Sequence, residues 1–326
     1  MRFEFNGACD VREVYHLARA EMNTREVNAK LDSKSGIIFL KMNTAAIFEY
    51  SRRTLPRELQ AKYEQLKGLI GGFDSVLVAF SGGVDSTLVA KVAVEVMSAQ
   101  KVLAAIAISA SLGEEEEQAA LKTLSEIGLP YVKIDTNEVE DPRYAANPVN
   151  RCYFCKEHVY GALVNVARER GFETVIDGFN AEDTTDFRPG RKAGRELGVR
   201  SPLHECAFSK DDVRILARHL GLSNWDKPQM ACLSSRVEYG IQITPNILKQ
   251  VDRAEAALRR LGFDDLRVRH HETTARVEIE SAMLPRALER RDEIISAVKA
   301  AGYTQVTIDP QGLRHGSMNE GLKSVG

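Results

Sequence analysis

The order of apolar and polar positions divides the chain into three stretches. In residues 1–55 the pattern is weak, and SGIIFLKM (35–42) is the segment there that reads as a strand. PRELQAKYEQLKGLIGGF (56–73) sets Leu59, Tyr63, Leu66, Leu69 and Ile70 on one side of a helix, with Pro56 at its start and Gly71-Gly72 at its end. Short apolar runs then alternate with helical periods, giving strands over 75–80, 101–109, 131–136 and 173–179. The intervening helices fall over 85–99, 114–127, about 152–170 and 210–220. A run apolar at successive positions suits a strand buried on both faces, so the expected fold is α/β, a mostly parallel sheet with helices on both faces. From about residue 245 the order becomes α-β-β-α-β: a helix ended by Gly262, strands in LRVRHH and ARVEIE, a helix over 282–301 and a strand in TQVTIDP (304–310). This predicts a small C-terminal α+β domain of ferredoxin-like type. The expected organisation is an extension of unassigned role (1–55), an α/β domain (56–244) and a small domain for substrate binding or oligomerisation (245–326).

Composition narrows the function classes. The 326 residues suffice for two cores. A net charge of −2 supplies no global basic field, so no nucleic-acid partner is expected. No apolar run reaches the 18 residues of a membrane span, and MRFEFNGACD carries no secretory apolar segment. The cysteines are Cys9, Cys152, Cys155, Cys206 and Cys232, an odd set that does not read as a disulfide framework. A cytoplasmic location is expected, where paired cysteines more often bind metal or do chemistry.

SGGVDST (81–87) stands between the first buried strand and the helix after it. Gly82 and Gly83 let backbone approach a phosphate, the helix N-terminus aims N–H groups at it, and Ser81, Ser86 and Thr87 add hydroxyls. Asp85 suits a magnesium ion or a helix cap. The Walker A pattern is absent. The loop resembles the SGGxDS signature of PP-loop ATP pyrophosphatases, with their adenine nucleotide alpha hydrolase-like sheet, which bind ATP, release pyrophosphate and leave AMP on the substrate.

Cys152 and Cys155 form C-x-x-C, and Cys232 lies in ACLSSR. Such thiols bind zinc, bind an iron–sulfur cluster, cycle as a dithiol, or simply pack. A structural zinc wants a fourth ligand, and His158 is poorly spaced to give it. A 4Fe–4S cluster on three cysteines keeps one iron open for a sulfide. Cys9 and Cys206 read as ordinary.

Further segments resemble the LarE sulfur transferases: VAFSGGVDST (78–87), DGFNAEDTTDFRPGRKA (177–193), LGLSNWDKP (220–228), SSRVEYG (234–240), LRRLGF (258–263) and LRVRHH (266–271). The resemblance covers about residues 57–321. It implies that ATP and magnesium adenylate a carboxylate of pyridinium-3,5-biscarboxylate mononucleotide. Sulfur then displaces AMP to give a thiocarboxylate, in the making of the nickel-pincer nucleotide cofactor. One branch of the family sacrifices a cysteine placed one residue before Cys232, where this chain has Ala231. Another branch carries three cysteines and is associated with a 4Fe–4S cluster, and Cys152, Cys155 and Cys232 match it.

The site expected on this basis combines the phosphate loop, Asp85 included, with Ser109 near the adenine and Cys232 at the sulfur. Asp183, Asp186 and Arg188 would meet metal, ribose and phosphate, unless loop 178–191 is only a polar turn set by Pro189-Gly190. Arg236, beside Ser235, would steady a substrate oxyanion. Arg267 and Arg269 share a strand face and resemble substrate-phosphate ligands, a solvated face being the alternative. Glu255 and Glu278 are metal candidates or exposed carboxylates; His270 and His271 stay unassigned. The expected partners are a small nucleotide substrate, a sulfide or cysteine-desulfurase sulfur source, and further copies of the chain in a homo-oligomer. A PP-loop tRNA thiolase would need a broader basic surface, an amide synthetase would leave the thiols idle, and the intact SGGVDS loop with a complete cysteine trio counts against a non-catalytic ATP- or cluster-binding regulator.

Overall fold

The computed structural model describes residues 55–182, 189–228 and 231–314, together with three short strands ahead of them. Those strands, β1 (Arg2–Phe3), β2 (Asn28–Asp32) and β3 (Ile37–Lys41), form an antiparallel sheet in the order β1-β3-β2, and β3 falls within the strand read at 35–42. The α/β part follows as α1 (Arg57–Gly71), β4 (Val76–Ala79), α2 (Val84–Val96), β5 (Val102–Ile108), α3 (Glu114–Ile127) and β6 (Tyr131–Asp135). After it come α4 (Pro142–Ala145), α5 (Arg151–Glu169), β7 (Thr174–Ile176), α6 (Pro189–Glu196), α7 (Pro202–Glu205) and α8 (Lys210–His219).

Its four strands are all parallel, in the order β6-β5-β4-β7. The buried runs of β4 and β5 explain why. Val76, Val78, Ala104 and Ile106 face a core filled from α1, α2 and α8, while Leu77, Leu103 and Ala105 face a second core filled by Tyr160, Leu163 and Ala167 of α5. Both faces are therefore covered, as the sequence pattern requires.

The C-terminal part is α9 (Pro245–Arg260), β8 (Leu266–His271), β9 (Thr274–Ile279), α10 (Leu284–Glu289), α11 (Arg291–Ala300) and β10 (Gln305–Ile308). Its sheet is mixed: β9 is central, antiparallel to β8 and parallel to β10. The single helix expected over 282–301 is broken at Arg290, whose guanidinium turns back to the Leu261 carbonyl at 2.6 Å and to Glu293. The strand expected over 173–179 is shorter, because backbone beyond Ile176 bends toward the phosphate loop.

Candidate functional site

The phosphate loop sits at the C-terminal end of β4, the edge where parallel sheets take ligands. Gly82 adopts φ +73°, and a Cβ there would stand 2.7 Å from the Cβ of Ala120. Ser81 is exposed, and its hydroxyl lies 3.1 Å from that of Ser86. Ser86 and Thr87 donate to the Gly83 carbonyl at 3.1 and 2.9 Å. Thr87 is fully buried, so in this structure it shapes the loop from beneath. Asp85 is steadied by the amide of Asn180 at 2.8 Å.

The sequence pattern did not single out Asn180, Asn224 or Lys227. Asn224 bridges the loop, donating to Thr87 Oγ1 at 2.9 Å and to the Gly82 carbonyl at 3.3 Å. The ammonium of Lys227 pairs with Glu116 at 2.7 Å and reaches the same carbonyl at 3.5 Å. Both lie in LGLSNWDKP, yet only the folded chain shows that this segment returns beneath the loop. Two amide hydrogen bonds are together worth about 2 kcal/mol. Asn224→Ala should therefore weaken binding of a non-hydrolysable ATP analogue by roughly 10- to 30-fold in titration calorimetry; unchanged affinity would deny Asn224 this bracing role.

Ser109 directly follows β5, and its hydroxyl lies 2.8 Å from that of Ser111. Ser111 donates in turn to Glu138, a fully buried carboxylate that also accepts from Thr136 at 3.0 Å. The Ser111 carbonyl accepts the Leu233 N–H at 2.9 Å. In this way the C-terminal end of β5 is joined to the 3-10 turn Leu233–Arg236 that follows Cys232.

Cys152 and Cys155 occupy the first turns of α5, and the two runs of chain are stitched together. Arg151 donates to the Ser234 carbonyl at 2.9 Å, and the Tyr144 hydroxyl meets that of Ser234 at 2.6 Å. Cys152 and Cys232 reach solvent, and Cys155 is half-buried. Their charges act on one another. Crowding by protein, then the charge at Cys232, raise the Cys152 thiol against the pull of Arg151 and Lys156. Burial, then Cys232, push the Cys155 thiol up to about 12. Among the described residues no three His, Cys, Asp or Glu side chains are gathered closely enough to hold a single metal ion. Alongside, α6 packs on α5, and Arg191, Lys192, Arg195 and Glu196 line an open cavity of about 510 Å³.

Arg236 does not face this space. It is 1% exposed, and its guanidinium is taken up by Glu255 and by carbonyls of its own turn. Glu255 and Glu278 are wholly buried, which corrects the reading of exposed carboxylates. Arg269 is buried too, paired with Glu278 at 2.8 Å, so the face it shares with Arg267 is not a solvated one. Burial, then the nearby Arg236 charge, lower the Arg267 guanidinium to about 10, with Glu255 offsetting and Arg269 and Arg259 adding. His270 packs edge-on against Tyr303, and His271 pairs with Glu238. Asp183, Asp186, Arg188 and Cys9 lie outside the described residues.

Comparison with known proteins fits this arrangement. The NAD synthase family model matches residues 63–147, the span of the phosphate loop and its neighbouring strands. An uncharacterized protein of Synechocystis sp. is 43% identical over 266 residues, 81% of this chain and 99% of that protein. The pyridinium-3,5-bisthiocarboxylic acid mononucleotide synthase of Lactiplantibacillus plantarum is 38% identical over 264 residues, 81% of this chain and 96% of the synthase. The chain belongs to the LarE family. It is accordingly an ATP-dependent sulfurtransferase on a PP-loop α/β fold. This LarE chain carries both its phosphate loop and a small C-terminal mixed sheet. Among its described residues no helix is long and apolar enough to cross a membrane.

Proposed function

We propose that this LarE protein adenylates a carboxylate of pyridinium-3,5-biscarboxylate mononucleotide and replaces the adenylated oxygen by sulfur, with the sulfur drawn from a site built on Cys152, Cys155 and Cys232. One observation carries the reading. The phosphate loop and the Cys232 turn stand at the same edge of the parallel sheet, joined through Ser109, Ser111 and the Leu233 N–H. Adenylation and sulfur attack both occur at one carboxyl group, so their machinery must converge on one place.

In the first step a substrate carboxylate oxygen attacks the α-phosphorus of ATP, and the bond to pyrophosphate breaks. The free N–H groups of the α2 N-terminus and the Ser81 hydroxyl receive the negative charge of the leaving pyrophosphate. Magnesium, when bound near Asp85, would neutralise part of that charge. In the second step a sulfur nucleophile adds to the acyl carbon, the carbon–oxygen bond breaks and AMP departs. Arg267 favours an anionic substrate here, because its neighbourhood is rich in guanidinium charge. Cys152, Cys155 and Cys232 would hold a 4Fe–4S cluster, which when bound supplies an open iron corner for the sulfide that is transferred. A location in the cytoplasm, assembly into a homo-oligomer and supply of sulfur as sulfide or by a cysteine desulfurase belong to the same reading. So does the division into an extension, a PP-loop domain and a small substrate domain.

The test is purification without oxygen, followed by absorption spectroscopy and assays of iron and acid-labile sulfide. A broad band near 400 nm with about four irons per chain, lost in Cys152→Ala, Cys155→Ala and Cys232→Ala, is the expected result. A colourless, iron-free protein that still forms thiocarboxylate would overturn the cluster and direct attention to loss of H₂S from Cys232, read by mass spectrometry.

A further inference from the structure

The Cys232 turn is short, carries a solvent-facing thiol and is pinned to the apolar interior by Leu233 and, just after it, Val237. Besides the ties from Ser111, Arg151 and Tyr144, it is held by one guanidinium of its own. Arg236 lies on the turn itself and is 1% exposed. Its Nη1 donates to the Cys232 carbonyl and to Ser235 Oγ, each at 3.0 Å, and also to the Ala231 carbonyl. The other side of the same plane meets Glu255 of α9, with Nε at 2.9 Å from Oε1 and Nη2 at 3.2 Å from Oε2.

Glu255 is itself saturated. Its Oε1 also accepts the backbone N–H of Val268 on β8 at 3.1 Å, and its Oε2 accepts from Arg259 at 3.0 Å. A second tie runs parallel: Arg269 of β8 donates to the Ser235 carbonyl at 3.1 Å while pairing with Glu278 of β9. The backbone on both sides of Cys232 is therefore held by charges anchored in the C-terminal part of the chain. A fork that satisfies a carboxylate on one edge and carbonyls on the other is a geometry lysine cannot reproduce.

We infer that Arg236 and Glu255 form a positioning clamp through which the C-terminal sheet and α9 set the direction of the Cys232 sulfur, and that the clamp serves the sulfur-transfer step and not adenylation. The inference rests on the proposed sulfur-transfer function. Arg236 touches no substrate in this assignment, because it is 1% exposed and each of its three nitrogens already bonds protein. Glu255 is likewise closed to a metal ion, since both oxygens already accept two hydrogen bonds.

The decisive variant is Arg236→Lys in the full-length chain, which keeps the charge opposite Glu255 and loses the fork. Its ATP–pyrophosphate exchange should stay within about threefold of the parent. Its kcat for thiocarboxylate formation should fall on the order of 30- to 100-fold with KM little changed, as expected when a reacting atom is misplaced by about an ångström. With iron removed by a chelator, N-ethylmaleimide labelling of Cys232 relative to Cys152 should rise by about fivefold, read by peptide mass spectrometry. Should Arg236→Lys fail to fold, the double variant Arg236→Met with Glu255→Leu replaces the buried pair by apolar side chains, a change that cores often tolerate. The same losses are expected of it.

Wild-type transfer and wild-type labelling in a folded variant would overturn the clamp. So would a parallel fall of exchange and transfer, which would make the pair a general support. If the parent itself exchanges no pyrophosphate, the proposed function fails, whereas the labelling ratio still decides whether the clamp exists.

Discussion

Cys232→Ala should abolish thiocarboxylate formation, by on the order of 10³-fold or more, while ATP–pyrophosphate exchange in the presence of substrate continues. The split follows from placement. Cys232 precedes a turn tied to the Ser111 carbonyl, but no atom of it belongs to the phosphate loop, which is built from residues 81–87 and braced by Asn180 and Asn224. A thiol that supplies sulfur, or helps hold what supplies it, acts only after the acyl-adenylate exists. Cys206→Ala is the control: that thiol is 2% exposed in the apolar core beside Phe208 and Leu203, remote from the reacting groups. Its loss should trim stability and leave transfer in place. If Cys232→Ala transferred sulfur at the parent's rate, the assignment of the sulfur site would be wrong.

The second large effect is expected from one methyl group. Gly178 follows β7, where the chain passes directly against the first turn of α2. A Cβ at Gly178 would lie 2.5 Å from the backbone nitrogen of Ser86 and 2.8 Å from the carbonyl carbon of Asp85. Backbone cannot rotate out of the way as a long side chain can, so Gly178→Ala must push the phosphate loop or distort β7. Overpacking of this kind costs roughly 1–3 kcal/mol of stability. Its effect on adenylation should be larger, about 10²-fold or more, because the shift falls on the groups that receive pyrophosphate. Gly161 provides the contrast. It lies inside α5 with nothing within 4 Å of where an added methyl would sit, so Gly161→Ala should stabilise by about 0.5–1 kcal/mol and leave exchange unchanged. Thermal melts beside exchange assays separate the two; equal behaviour of both alanine variants would contradict the close approach at Gly178.

Much of the α/β part was legible because its evidence is local. Consecutive apolar residues in VLVA and VLAAIAI admit few environments besides a strand covered on both sides, and the glycine pair after VLVAF leaves little but a turn into a helix. The short helices α6 and α7 were missed, since four to eight residues give too little helical period to read. The burial of Arg236 was hidden for a different reason. Ser-Ser-Arg beside a cysteine reads as a polar, open site, and the carboxylate that buries the arginine lies nineteen residues on, on α9. Glu255 and Glu278 failed likewise: each looks like an ordinary exposed acid until its guanidinium partners arrive from other elements. The thiols were the intermediate case. Their types and number announced chemistry, but the approach of the Cys232 run to the C-x-x-C helix depends on Arg151 and Tyr144 grasping Ser234 across more than eighty residues.

That long-range stitching also sets an order of events when the chain is made. Cys152 and Cys155 emerge from the ribosome early, on a helix that can pack as soon as the parallel sheet closes. The Cys232 turn is fully secured only after α9, β8 and β9 have been synthesised, because Glu255, Arg269 and Glu278 complete the ties begun by Arg151, Tyr144 and Ser111. A nascent chain thus presents Cys152 and Cys155 well before Cys232 is in place. Completion of the Cys232 turn is therefore a late, whole-chain event, and a chain ended between the phosphate loop and α9 would keep the loop and lack the ties that Glu255, Arg269 and Glu278 give this turn.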